Sequence, residues 1–591
     1  MKKKKILKVG KFKTIDKSSE IFIAEWCSDD YLNLSGDNFF DDKSYLKKKI
    51  LVSQKKFLMY YDDLEDFLIN RLNYIHKKKY PKKYWRILLG NWLNWYIKII
   101  INRFYTVNKV LNSDKFNSIE FSFKKETQFC SQGTSDINLL CDDPNWNTKL
   151  YLNLFKFFKK KQNIKINYIN ESNKNQNSIT EKKFSTKVIN FLSKKLSREK
   201  DVFFIETYLS KSILFKSQLR LFQFPVFWRR EPFFIKKRNL RLRNRVKTQV
   251  FFKGDPLKTF LFSRVFDFIP ICILEGYKEN VKKSKKLPYP KKTKLIITAS
   301  NFNSDELFKI WTAEKILGST KYLIMQHGAG YENFRFHLEK PCEILTPDIY
   351  LTWGWGLEKQ EYTNQNVFIK FFVTRILKKK NYYYLLRKPS QITLFLPDRF
   401  PSRYSWNTYK EYLDKLNNVK KFIKNLNEDN QSKIFLKPLK REKNGQLKEY
   451  HRDVNFWKSF KPKIKFVNES DKINKIYRIS KLSIFFYNST GVLELISLNK
   501  PVILILNSNQ WFNIPKKVLY YYEDLCNAGI IYKDIKSAAV AINKISKDTN
   551  KWWYNQKRQK ILSKFRKNFA QYAEDLDKKF IKIIKNIEND Y

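Results

Sequence analysis

The sequence predicts an α/β protein of two Rossmann-like domains facing a cleft, with a C-terminal helical segment packed on the body. Three observations predict it. The chain has 591 residues, 43% hydrophobic and 17% aromatic, more than one hydrophobic core usually serves, so two domains are expected. Short β-branched and aromatic runs alternate with longer helical patterns through the C-terminal half, as βα units around a parallel sheet do. The strand at Leu482 to Phe486, the polar turn Asn488-Ser489-Thr490-Gly491, the helical Val492 to Leu498, Lys500-Pro501 and the strand at Val502 to Leu506 make one complete βαβ step.

In chain order, residues 1–376 are expected to form an acceptor-side Rossmann-like domain with a helical N-terminal part. Lys159 to Lys183, rich in Lys, Asn, Gln and Ser, is predicted as a surface insertion or disordered loop. Tyr277 to Thr293 is predicted as a Lys/Pro-rich connector into the strand at Lys294 to Thr298. Further strands are expected at Tyr322 to Gln326 and Ile349 to Trp353. The break at Leu377 to Gln391 is the expected domain boundary, and residues 385–550 the donor-binding domain. Its strands are expected at Ile392 to Leu396, Lys433 to Lys437, Ile464 to Val467, Leu482 to Phe486, Val502 to Leu506 and Ile530 to Tyr532. Residues 551–591 are expected to be helical, with Ile561, Phe565, Phe569 and Tyr572 spaced to pack on the body.

The net charge of +60 points to an anionic partner. Abundant Asn, Ile, Phe and Tyr beside scarce Gly, Ala and Pro are also the drift of an AT-rich genome, so much of the charge reads as solvated surface. No zinc finger, RNP-like sequence or P-loop is present, and no specific nucleic-acid partner is expected. The six cysteines lie scattered, without a CxxC pair or a His-Cys cluster, which signals neither structural zinc nor a disulfide framework. The basic start, Met1 to Lys5, lacks a following apolar run. The stretch Trp85 to Val107 is interrupted by Arg86, Asn91, Lys98 and Arg103, too much charge for a spanning helix. A cytoplasmic location is expected, with peripheral contact at an anionic inner membrane.

The sharpest local signal is Gln326-His327-Gly328-Ala329-Gly330-Tyr331 at a strand end. Ligands of open α/β sheets bind at carboxyl ends of strands, and glycines let backbone approach them. His327 is therefore the candidate general base, and a turn-bonded histidine is the alternative. Gln326, Gly328 and Tyr331 are candidate substrate contacts. Trp353 and Trp355, in the next strand-end turn, are candidates to stack on a sugar or base, or else core residues. Glu332 and Glu339 are candidate acceptors for sugar hydroxyls. Ser489, Thr490 and Gly491 open a helix where an anion is stabilised, and Ser489 or Thr490 is equally an ordinary N-cap. Glu494, one turn inside, is positioned to accept from ribose hydroxyls. Arg399 and Lys437, nearest their strand ends, are candidate cations for a departing diphosphate.

Several separated blocks resemble the transferases of bacterial O-antigen and surface-polysaccharide loci, which have a glycosyltransferase-B-like architecture. They are Glu25-Trp26-Cys27, Tyr61-Asp62-Asp63-Leu64-Glu65, Asn73-Tyr74-Ile75-His76 and Tyr84-Trp85-Arg86-Ile87-Leu88-Leu89-Gly90-Asn91-Trp92-Leu93. The Gln326-His327-Gly328 turn, Thr352-Trp353-Gly354-Trp355 and Ser489 through Pro501 look like further landmarks. Together they span about 20–110 and 290–570. The order of parts is also similar to the CDP-glycerol glycerophosphotransferases of teichoic-acid synthesis, although Lys437-Pro438 is not followed by the His-Pro of that group. The resemblance implies that His76 and Arg86 face the cleft. It implies transfer of a sugar or related group from a nucleotide-activated donor, with no resident cofactor and no required metal, to a saccharide or lipid-linked acceptor. A glycerophosphotransferase-type polymer synthesis and a basic nucleic-acid-binding protein are the alternatives.

Overall fold

The computed structural model describes residues 4–12, 15–28, 34–40, 43–159, 163–169, 184–334, 340–356, 367–374, 389–396, 409–438, 454–468 and 470–589. The expected boundary at Leu377 to Gln391 falls largely outside them, as do Glu339 and Arg399.

Three parallel sheets organise these residues. The first contains β1 (Lys5–Gly10), β2 (Glu20–Phe22), β3 (Phe116–Phe123) and β4 (Ile164–Tyr168), in the order β2-β1-β3-β4. The second runs in sequence order through β5 (Phe203–Ile205), β6 (Leu295–Thr298), β7 (Lys321–Met325), β8 (Ile349–Thr352) and β9 (Val367–Lys370). The third contains β10 (Gln391–Phe395), β11 (Ile434–Lys437), β12 (Lys465–Phe466), β13 (Ser480–Phe485), β14 (Val502–Ile505) and β15 (Ile531–Tyr532), in the order β12-β11-β10-β13-β14-β15. Within this sheet the chain visits the strands as 3-2-1-4-5-6, the doubly wound order, with its topological switch between β10 and β13. Phe395 pairs with Phe485 there, rings stacked at 4.2 Å.

The nine strands expected from Lys294 onward are present within two residues at each end. Upstream the structure corrects the sequence reading. The N-terminal part is not only helical: two long helices, Lys43–His76 and Lys82–Leu111, are inserted between strands of a separate sheet. Strand β4 lies inside the expected Lys159 to Lys183 insertion. Lysines hid these strands because the sheet accommodates them by pairing across strands. Lys8 of β1 reaches Glu20 of β2 at 2.9 Å and Glu120 of β3 at 2.5 Å, so a cation in the strand is neutralised by its neighbours. The supposed connector starts with a helix, Tyr277–Ser284, whose Tyr277, Asn280 and Ser284 are buried.

The C-terminal segment is three helices rather than one. Thr549–Trp553 and Gln556–Phe569 pack on the third sheet's core through Trp553, Leu562, Phe565 and Phe569. The chain then crosses back. Gln571 N–H donates to Trp353 O at 3.2 Å and its carbonyl accepts from Val373 N–H at 2.9 Å. The last helix, Leu576–Asn589, seats Phe580, Ile581 and Ile584 against Phe204, Leu295, Ile297, Leu323 and Phe371 of the second sheet. Both sheets are thereby tied by one chain end. Among the described residues no helix is long and apolar enough to cross a membrane.

Phe580 is fully buried in that contact. Phe580→Ala is expected to lower unfolding stability by about 3–5 kcal/mol, the range for truncating a packed phenylalanine. An unchanged urea midpoint sinks the idea that this helix clasps the second sheet.

Candidate active site

Strand β7 ends at Met325 and the chain turns through Gln326 to Gly330. The Gln326 side chain is buried, so its amide must find partners inside the protein. Nε2 donates to Gly328 O at 2.8 Å, while Oε1 accepts from Trp353 N–H at 2.8 Å and Trp355 Nε1–H at 2.7 Å. The turns after β7 and β8 are thus fixed to each other. Gly354, with φ +117, leaves room for Lys567 O, which a Cβ would meet at 2.6 Å.

His327 projects from this turn with its side chain 31% exposed. Its Nδ1 lies 3.0 Å from Glu343 Oε1 and 2.9 Å from Tyr331 Oη. Glu343, 1% exposed, also accepts from Tyr331 Oη at 2.6 Å and Tyr350 Oη at 3.0 Å. An ionised carboxylate has no proton to give, so the network assigns the hydrogen to Nδ1 and the lone pair to Nε2. The tautomer suits a general base, and the buried carboxylate stabilises the imidazolium formed on proton uptake. The rings of Tyr208 and Phe302 stand 6.3 and 6.4 Å from the imidazole. Tyr208 (φ 61) and nearby Glu206 (φ 45) hold left-handed backbone at the end of β5, a strain that collects at ligand sites.

The same turn faces the third sheet. Ala329 N–H donates to Thr490 Oγ1 at 3.0 Å. Asn333 Nδ2 and Asn488 Nδ2 both donate to Tyr522 Oη, at 3.2 and 2.7 Å, and Lys517 Nζ reaches Glu332 Oε2 at 2.5 Å. The helix Thr490–Ser497 follows β13 at the switch point, so its positive end opens where a doubly wound sheet binds ligands. Ser489 Oγ is buried there without a hydrogen-bond partner among the described residues. His327, Gly328, Ser489 and Thr490, 161 residues apart at Ala329 and Thr490, therefore meet at one seam.

Other sequence-predicted residues take structural places. Tyr331, Trp353 and Trp355 are buried within the strand-end network rather than presented to a ligand, and so is Gln326. Glu494 is also buried and accepts from Tyr477 Oη at 2.8 Å, so it braces the helix from beneath. Gly491 is required by packing, since a Cβ would lie 2.8 Å from Tyr477 Oη and 2.9 Å from Phe485. Lys437, half-buried at the end of β11, donates to Pro438 O at 2.9 Å. His76 and Arg86 do not join the His327 cluster. Arg86 Nε reaches Glu65 Oε1 at 2.8 Å between the two long helices. His76 Nε2 lies 2.9 Å from Ile273 O, its ring between Tyr277 and Trp85. Sequence reasoning missed Glu343, Tyr350, Asn333 and Tyr522. A signal existed for the first: Glu343 is a lone carboxylate in the run Pro341-Cys342-Glu343-Ile344-Leu345, where a charge must be partnered if buried. Among the described residues no three or more His, Cys, Asp or Glu side chains group as metal ligands do.

Fold and site together define a two-domain α/β protein in which the turn that carries a histidine–carboxylate pair meets a helix N-terminus across the domain seam. The chain belongs to the LIC12162 transferase family, matching the LIC12162 family transferase over residues 10–584. Among solved structures it is similar to MurG of Acinetobacter baumannii, at 11% identity over 53% of this chain and 78% of that one, with a TM-score of 0.28. It is also similar to a mutant O-GlcNAc transferase of Thermobaculum terrenum, at 7% identity over 68% of this chain and 74% of that one, with a TM-score of 0.33. At these values the two-domain architecture rests on the chain's own sheets and seam. No curated protein matches the chain.

Burial pushes the His76 imidazole down from 6.5 to about 4. The folded pKa is depressed, so between pH 6.5 and about 4 the unfolded chain binds a proton that the native one does not, and stability falls with falling pH. From pH 7 to pH 5 the loss from this one group is about 2 kcal/mol. In His76→Gln the drop in urea-unfolding stability between these two pH values should shrink by that amount; an identical drop excludes His76 as its source.

Proposed function

We propose that this transferase moves a sugar, or a closely related group, from a nucleotide-activated donor to a saccharide or lipid-linked acceptor of a surface polysaccharide. The observation that carries the reading is that the turn bearing His327, backed by Glu343, meets the N-terminus of helix Thr490–Ser497 at the switch point through Gly328 and Ala329. Base and anion site are the two requirements of such a transfer. Nε2 of His327 takes the proton of an acceptor hydroxyl as its oxygen bonds to the activated carbon. The bond from that carbon to the diphosphate breaks, and its electrons leave on the diphosphate oxygen. The helix N-terminus and the Ser489 hydroxyl stabilise this leaving group, and the Thr490 hydroxyl, accepting from Ala329 N–H, retains its own hydrogen to donate. Lys437 and Arg399 are the proposed supplementary cations. The motif blocks shared with surface-polysaccharide transferases support the acceptor class. All six cysteines are free thiols, in keeping with a cytoplasmic site of action.

The test is transfer measured with a panel of nucleotide-activated donors alongside donor binding by calorimetry. Glu343→Gln keeps the shape and removes the charge, and should lower the transfer rate by on the order of 10²–10⁴-fold while donor affinity holds. His327→Ala should lose at least as much. Transfer near the wild-type rate in either variant removes the base from the proposal, and absence of donor binding in the wild type removes the donor.

A further inference from the structure

Two helices that flank β5 in sequence turn polar side chains inward and leave apolar ones in solvent. In Phe184–Leu196 the buried residues are Asn190 and Ser193, while Val188, Phe191, Leu192 and Leu196, spaced as one helical stripe, face solvent. In Lys211–Arg220 Ile213 is buried in the second sheet's core beside the polar Ser217 and Gln218, while Phe215 and Leu219 are exposed, and the outer stripe continues to Phe222, which is 83% exposed just past the helix. The inversion is specified by hydrogen bonds. Asn190 Nδ2 donates to Arg229 O at 3.1 Å and to Glu231 Oε1 at 2.7 Å, and its Oδ1 accepts from Arg229 N–H at 2.9 Å. Gln218 holds Val226 the same way, donating to its carbonyl at 3.2 Å and accepting from its N–H at 3.1 Å. Both helices are thus anchored by amides to one strap, residues 222–231, and Arg198 closes the edge by donating to Phe222 O. Phe224 of the strap is exposed as well. Ordinary solvent-facing helices do not spend their polar residues inward and leave aromatic and leucine side chains outside.

The charge of the two helices says what covers this face. One carries Lys187, Lys194 and Lys195 and the other Lys211, Lys216 and Arg220, of which Arg220 pairs with Asp577 of the last helix, and neither contains a carboxylate. The Lys195 ammonium lies 5.9 Å from the Phe191 ring centroid, its stem lying along the apolar stripe as a snorkelling lysine does. An apolar stripe flanked by cations matches an interface whose surface is anionic and whose interior is hydrocarbon. A second copy of the face would meet it with like charge. At about 1.5 Å per residue both helices are far too short to span a bilayer and suit one lying in its plane.

We infer that the helices Phe184–Leu196 and Lys211–Arg220, with the strap between them, form a docking face for an anionic lipid surface. Phe191, Leu192, Phe215, Leu219 and Phe222 enter the headgroup boundary, and the lysines pair with lipid phosphates. The inference stands independently of the transferase reading.

The full chain is floated with phosphatidylcholine vesicles with and without phosphatidylglycerol. The wild type is expected to co-float only with the anionic vesicles and to be released by salt. The pair Phe191→Ser and Leu192→Ser, at exposed positions, should keep the wild-type melting temperature and lower anionic-vesicle partitioning by on the order of tenfold or more. Lys187→Gln with Lys194→Gln should lower it comparably at low salt and leave the melting temperature unchanged. Wild-type partitioning in the serine variant overturns the proposal, as does failure of the wild type to bind anionic vesicles. A wild type that self-associates in sedimentation equilibrium, ignores vesicles and becomes monomeric with the serine pair identifies the face as a contact between copies, which also overturns it.

Discussion

The side-chain amide of Gln326 makes three hydrogen bonds inside the protein, one to Gly328 O and two to the Trp353–Trp355 turn. Each of those groups is buried, so removing the amide leaves donors and an acceptor unpaired at about 1–3 kcal/mol apiece. What the amide fixes is the path of four residues. Along that path His327 points to Glu343, Gly328 approaches Thr490 closely enough that a Cβ would sit 3.0 Å from its hydroxyl, and Ala329 N–H reaches that hydroxyl. One strand end therefore sets both the orientation of the base and the register of the two domains, and neither can shift without the other.

Glu343 shows why such a centre tolerates a buried charge. A carboxylate taken out of water is stable only if its lone pairs are used, and three donors converge on its Oε1: His327 Nδ1–H, Tyr331 Oη and Tyr350 Oη. Those donors come from the turn after β7 and from β8, while the carboxylate comes from the intervening turn at Lys340–Ile344. The second sheet's edge is thus closed by a polar knot whose members all lie within one βαβ-like stretch. Cys342, the neighbour of Glu343, lies against Gly90 of the second long helix, where a Cβ would be 3.0 Å from the cysteine side chain, so the knot also rests on the inserted helical hairpin.

Strands after Lys294 were legible because they are continuous apolar runs buried on both faces, such as Leu295 to Thr298 and Val502 to Ile505. β1 and β4 were not, because lysines interrupt them, Lys5 and Lys8 around Ile6-Leu7 in β1 and Lys165 between Ile164 and Ile166 in β4, in a chain where lysine is everywhere. For the site, a glycine-rich turn carrying one of four histidines was enough to single out His327. Its partner was not found, since Glu343 lies 16 residues downstream and only folding brings the turn back. Trp353, Trp355 and Glu494 were read as ligand groups because strand ends and helix first turns are where ligands bind. The structure buries all three, and gives Trp355 Nε1 to Gln326 and the Glu494 carboxylate to Tyr477. Spacing locates the edge of a sheet, but which side of a helix or turn faces the cleft depends on packing that a single sequence does not display.

The distribution of charge by depth bears on what the formal +60 means. Among the described residues eight carboxylates are buried, Glu65, Asp201, Glu275, Asp305, Glu306, Glu332, Glu343 and Glu494, against four cations, Lys98, Arg103, Arg243 and Lys309. The interior is therefore net acidic, and the positive excess lies wholly at the surface, where it repels other copies of the chain and attracts polyanions in a salt-dependent way. Genomic drift towards lysine accounts for cations spread evenly over solvated faces, because an exposed lysine costs the fold almost nothing. It does not account for carboxylates being drawn inward to definite partners, such as Glu275 to the buried Arg243 at 2.7 Å and Glu306 to the buried Lys309 at 2.9 Å. In a chain with so few carboxylates, each one committed to an internal pair is one fewer available to neutralise the outside. The surface field is thus partly a by-product of how this fold satisfies its buried cations.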